Sequence, residues 1–126
     1  MEIIGIGIDA TDIARIRDAV ERWDERFVGR VFTEGEIAYC RRKRDSSSSF
    51  AARFAAKEAA MKALGTGHSQ GVFWKGIEVV RRHGPPQLQF HDGAAARAAR
   101  MGVTGSFLTI THSDTLAIAQ VMLVRL

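Results

Sequence analysis

The sequence predicts an α+β fold, an antiparallel sheet packed with a long central helix, and three stretches carry that expectation. Residues 3–9 read I-I-G-I-G-I-D, the period-two alternation of a strand. Residues 50–67 read F-A-A-R-F-A-A-K-E-A-A-M-K-A-L-G-T-G, a helix with little polar surface before its glycine stop. Residues 106–111 and 116–124 are short, nearly all-apolar runs joined by His112-Ser113-Asp114, which suits two adjacent antiparallel strands. A chain of 126 residues, 46% of them hydrophobic, is long enough for one core, so a single domain over 1–126 is expected.

In chain order, the first strand alternates isoleucine with glycine, which suits a buried strand whose glycines admit a close neighbour, and it ends on the carboxylate of Asp9. Asp12 is placed to cap a helix whose apolar stripe is Ile13, Ile16, Val20 and Trp23. Arg15, Arg22 and Arg26 line up beside that stripe if the helix continues that far. Thr33 and Glu36 have capping-box spacing, which predicts a short helix reaching the basic cluster Arg41, Arg42, Lys43 and Arg44, and residues 45–49 read as a polar linker. After the central helix, residues 77–82 and 87–90 flank His83-Gly84-Pro85-Pro86 as a hairpin, and an alanine-rich helix over 93–101 stops at Gly102.

The central helix holds the anomaly that bears on function. At about 100° per residue, Phe50, Phe54, Met61 and Leu64 share one stripe; Lys57 projects from its middle, and Glu58 and Lys62 flank its edge. Charges beside so much apolar surface are costly unless neutralised, so an anion, a metal or both are expected there.

Composition narrows the function classes. Cys40 is the single cysteine, which rules out an intramolecular disulfide, and no charged start followed by an apolar signal segment is present. The apolar runs are too short to span a bilayer, so a cytoplasmic protein without a membrane partner is expected. The net charge of +4 is uneven: residues 1–50 hold nine Lys or Arg against ten Asp or Glu, and the remainder nine against four. That bias favours a polyanion, whether nucleic acid, a phosphorylated cofactor or an acidic protein. A small basic nucleic-acid-binding domain is the weaker alternative, because aromatic residues are not interleaved with the basic ones and no groove-reading helix is recognisable. A scaffold that binds a coenzyme without turnover is a third.

Three segments together resemble a known family. G-I-G-I-D-A-T-D-I-A-R-I at 5–16, R-F-A-A-K-E-A-A-M-K-A-L-G-T-G at 53–67 and T-I-T-H-S at 109–113 are similar, in order and spacing, to holo-[acyl-carrier-protein] synthase, the small single-domain group of 4'-phosphopantetheinyl transferases. The resemblance implies that family's fold and the Mg²⁺-dependent transfer of the phosphopantetheine arm of coenzyme A to a serine of acyl carrier protein, releasing adenosine 3',5'-bisphosphate. Asp9 and Glu58 match its Mg²⁺ ligands, and Lys62 matches its lysine beside the transferring phosphate. Outside this context Asp9 reads as a helix cap and Glu58 as an i,i+4 partner of Lys62. The serine proton goes to Glu58 or to a water on the metal.

His112 is implied as a hydrogen-bond donor near the coenzyme pyrophosphate. Arg53 and Lys57 are candidates for phosphate contact, each with an internal carboxylate or solvent as the alternative. Gly65, Thr66 and Gly67 offer amide groups and a hydroxyl to the coenzyme, or simply close the helix. Arg15, Arg22 and Arg26, with Phe27 as an apolar anchor, look like the family surface that docks an acidic helix of acyl carrier protein. The basic run at 41–44 is a candidate for the 3'-phosphate. A homotrimer with active sites between subunits is implied as well. His68, His83 and His91 lack such context and are expected on the surface.

Overall fold

In the computed structural model, which describes residues 1–126, the isoleucine–glycine alternation forms β1 (Glu2–Asp12). It pairs antiparallel with β5 (Leu116–Arg125), which pairs antiparallel on its other side with β4 (Gly105–His112). β5 is therefore the middle strand, and its inward residues Ala117, Ala119, Val121 and Leu123 are fully buried. β2 (Ile77–Val80) and β3 (Gln87–Phe90) make the expected hairpin, with β2 ending two residues early.

The central helix α4 runs over Ser46–Leu64 and lies across the sheet. Its buried residues number 14 of 19, so the single-stripe expectation is corrected: apart from serines of its first turn and the edge at Glu58 and Lys62, the helix is covered. Alanines 55, 56, 59, 60 and 63 let the sheet approach, while Phe50 and Phe54 pack against α1 (Ile13–Trp23), α2 (Glu25–Val31) and α3 (Glu34–Arg41). The polar linker is also corrected. Asp45 accepts the Ser48 backbone N–H at 3.2 Å and its hydroxyl at 2.5 Å, and the serines wind into the first turn of α4. Those same bonds hold the Asp45 carboxyl below its ordinary pKa.

The capping box at Thr33 and Glu36 forms in both directions and starts α3. Asp12 occupies the N-cap position of α1 but makes no capping bond with its side chain. α1 does not continue to Arg26, because the chain breaks at Asp24, where φ is 38°, and restarts as α2. α5 (Asp92–Met101) ends at Gly102, as its sequence predicts.

Candidate active site

Strand and helix meet backbone to backbone. A Cβ added at Gly5 would collide with the carbonyl oxygen of Ala63, and one at Gly7 with that of Ala59. Glycine is required at both positions for α4 to rest on β1 at all. By the two-residue period of the strand, Asp9 lies on the same face as Gly5 and Gly7 and comes next along the helix. Here Lys62 Nζ bonds Asp9 Oδ1 at 3.2 Å and the Ile8 carbonyl at 2.9 Å, and the Thr11 hydroxyl donates to Asp9 Oδ2 at 2.7 Å. Glu58 sits one helical turn before Lys62, so it shares the same edge. Lys62 pairs with Asp9 across the two elements rather than with Glu58 along the helix.

Glu58 Oε2 accepts the indole N–H of Trp74 at 3.1 Å. Its other oxygen takes no hydrogen bond from the protein. Asp9 and Lys62 thus meet at this edge, with Glu58 one turn before Lys62 on α4, the Lys62 side chain 56% exposed and Asp9 16%. The donors of Asp9 and Glu58 are hard oxygens of the kind Mg²⁺ takes, and no third histidine, cysteine or carboxylate joins them to complete a protein cage. This donor set fits a divalent cation that shares its remaining positions with phosphate and water.

Lys57 belongs elsewhere, which corrects its assignment as a coenzyme ligand. It is fully buried; Nζ pairs with Glu36 Oε1 at 2.7 Å and donates to the carbonyls of Ile77 at 2.5 Å and Trp74 at 3.0 Å. All its donors are used inside the fold, leaving none for a phosphate. Burial draws its pKa below the ordinary lysine value, against the pull of the Glu36 carboxylate. Gly65, Thr66 and Gly67 are corrected too. Their N–H groups bond the carbonyls of Met61 and Lys62, and the Thr66 hydroxyl donates to the Gly67 carbonyl, so they close α4 rather than offer a cradle.

Arg53 stays a ligand candidate. Its side chain is buried with the guanidinium 3.9 Å from the Tyr39 ring centroid, yet Nε has no partner. It lines a cleft of about 450 Å³ with Ser48, Ser49, Arg81, Pro86 and His112. The structure therefore brings Arg53 and His112 together from α4 and the end of β4. Arg41 faces away from that cleft, bonded to Asp24 and Glu25, while Arg42 and Lys43 lie against Tyr39.

A family model described as the 4'-phosphopantetheinyl transferase superfamily matches residues 5–121. The chain belongs to that superfamily. A holo-[acyl-carrier-protein] synthase of Solibacter usitatus is 46% identical over 122 residues, covering 96% of this chain and 98% of the relative. One from Methylorubrum extorquens is 48% identical over 126 residues, covering 96% and 93%. Among solved structures, the holo-[acyl-carrier-protein] synthase of Neisseria meningitidis superposes with a TM-score of 0.89 at 27% identity, covering 98% of this chain and 99% of that one. That of Helicobacter pylori, in complex with coenzyme A, gives 0.83 at 31%, covering 94% and 99%.

A second cleft of this transferase, about 690 Å³, has Arg15, Arg26, Arg30, Trp23, Phe27 and Trp74 on its walls. Arg22 is not among them, although it shares α1 with Arg15; beyond the break at Asp24, Arg26 and Arg30 of α2 both stand in the cleft. Sequence reasoning missed Arg30, Trp74 and the second role of Glu36. His68 is exposed, as expected, and stacks on Trp74, while His91 is partly exposed and bonds Glu78 at 2.9 Å. A lysine isolated among alanines demands a buried carboxylate, and that demand was the available pointer to Glu36. Nothing in the spacing of Gly-Val-Phe-Trp at 71–74 points to Glu58.

Proposed function

We propose that this chain transfers the 4'-phosphopantetheine arm of coenzyme A to a serine hydroxyl of apo acyl carrier protein, releasing adenosine 3',5'-bisphosphate. The observation that carries the reading is the edge where Gly5 and Gly7 let Asp9 lie against the Glu58–Lys62 turn of α4, in a chain of the phosphopantetheinyl transferase superfamily.

Asp9 and Glu58 would hold Mg²⁺, which when bound neutralises charge on the pyrophosphate. The serine oxygen attacks the phosphorus next to pantetheine, a new P–O bond forms, and the P–O bond to the nucleotide half breaks. Lys62, bonded to Asp9, supplies positive charge to the phosphate oxygens in that step. The serine proton passes to Glu58 or to water beside it. Arg53 and His112, in their shared cleft, suit the phosphate-rich nucleotide half. Arg15, Arg26 and Arg30 around Phe27 suit an acidic helix of the carrier, steering encounter more than tightening it.

The assembly we read is a homotrimer with active sites between subunits. Ile6 and Phe107 both pair with Met122 across the sheet face turned away from α4, and Ile3, Ile6, Ile8 and Phe107 are each more than half exposed. An apolar sheet face of that kind needs a cover. No helix is long and apolar enough to cross a membrane, and we place the chain in the cytoplasm.

Incubation with coenzyme A, Mg²⁺ and apo acyl carrier protein, read by intact-mass spectrometry, tests the reaction. The carrier gains the mass of one phosphopantetheine; an unchanged carrier sinks the proposal. Light scattering on the eluting peak checks the threefold mass.

A further inference from the structure

A carboxylate that must meet a cation in one geometry loses side-chain freedom when it does so, and prior immobilisation removes that cost. Glu58 is held in this way. Its Oε2 accepts from Trp74 Nε1 at 3.1 Å, and the indole has little freedom of its own. His68 stacks on the ring with centroids 4.0 Å apart, Phe54 leans on it at 6.1 Å, and Phe73 closes the far edge of His68 at 5.4 Å. The backbone is pinned as well, because the Trp74 carbonyl accepts from Lys57 Nζ at 3.0 Å, and Nζ in turn is locked to Glu36 at 2.7 Å. An unbroken series of contacts therefore runs from the buried ion pair, through the turn at Trp74–Gly76, to the carboxylate at the active edge.

We propose that Trp74 is a positioning residue for Glu58: its indole N–H fixes one carboxylate oxygen and leaves the other for a divalent cation. The proposal rests on the reading of Glu58 as a metal-binding carboxylate. Trp74 also stands on the wall of the cleft proposed for the carrier, so its action through Glu58 is read from metal binding, which needs no carrier.

The test is a Mn²⁺ titration of the full chain, followed by electron paramagnetic resonance of the free ion, with wild type, Trp74→Phe and Glu58→Gln compared at one pH. Phenylalanine keeps a ring between His68 and Phe54 and removes the N–H. The expected result is a Mn²⁺ dissociation constant raised about tenfold or more in Trp74→Phe, in line with losses seen when groups behind a metal ligand are removed. Turnover by the same variant recovers as Mg²⁺ is raised, with KM for coenzyme A and the melting temperature unchanged. A lower melting temperature with an unmoved dissociation constant makes Trp74 a packing residue and overturns the proposal. If Glu58→Gln binds Mn²⁺ as wild type does, the metal reading falls and takes this inference with it. If Glu58→Gln is weakened and Trp74→Phe is not, this inference alone falls. Should Trp74→Phe not fold, the unaltered protein decides: Mg²⁺ shifts the indole N–H resonance of Trp74 and not that of Trp23, and an unmoved Trp74 resonance overturns the proposal.

Discussion

Lys57 and Lys62 stand on the same helix with the same head group and meet opposite surroundings. Lys57 is sealed in, wholly without solvent, and each of its donors is answered by Glu36 or a backbone carbonyl. Lys62 keeps more than half its side chain in water and holds Asp9 at the open edge of β1. The difference teaches how one helix serves two ends. A charge the core must accept is cancelled from within and becomes a fastener, while a charge left at the rim remains free for chemistry.

The sharpest way to break that contrast is Lys57→Met. It strands the Glu36 carboxylate in the core and is expected to cost about 3–5 kcal/mol in urea denaturation. Wild-type stability in that variant would mean the pair holds nothing together. The mirror experiment is Lys62→Met, expected to lower kcat by about 10²–10³-fold, as loss of one charge-stabilising donor does, with the melting temperature unmoved. A variant that unfolds instead would erase the division between fastener and rim.

A third substitution asks whether the rim depends on the strand–helix contact. Gly7→Ala drives a Cβ into the Ala59 carbonyl, and backbone cannot swing aside, so a loss of about 1–3 kcal/mol together with lower turnover is expected. Full activity would show that Asp9 reaches Lys62 without that seating.

The smallest effect concerns pH. Burial alone would raise the Glu78 carboxyl, but hydrogen bonds from His91 and Thr33, with the nearby charge of Lys57, outweigh it and hold the pKa below its ordinary value. The stability Glu78 contributes is thus complete above the ordinary glutamate range and is lost as pH falls through the lowered value. Glu78→Gln should flatten the acid side of a melting-temperature profile. An identical acid limb would remove Glu78 from the network around Lys57.

Local pattern carried much of this molecule in the sequence. The Gly5–Gly7 alternation, the Thr33–Glu36 box and the Gly65 stop are each decided by neighbours a few residues away, and all three formed. The serines at 46–49 misled because a polar run reads as a loop until Asp45 is seen to cap it. The site split along the same line. Asp9, Glu58 and Lys62, the residues proposed for the site, stand out in the sequence because they sit in recognisable segments, whereas Lys57 was ambiguous until a carboxylate from α3 arrived beside it. Trp74 meets Glu58 through a turn whose course no short-range pattern specifies. Arg22 and Arg26 fall on separate helices for the reason that Asp24 adopts φ 38°, a conformation aspartate enters rarely and without a sequence marker here.

The seating of α4 on two glycines has one more consequence. Between most helices and sheets lies a layer of side chains whose rotamers give a little, so the interval drifts as they rearrange. Here peptide groups rest on one another with nothing interposed, and hard contact sets the interval. Warming can loosen the aromatic side chains around the helix while the interval between the β1 and α4 backbones keeps its measure.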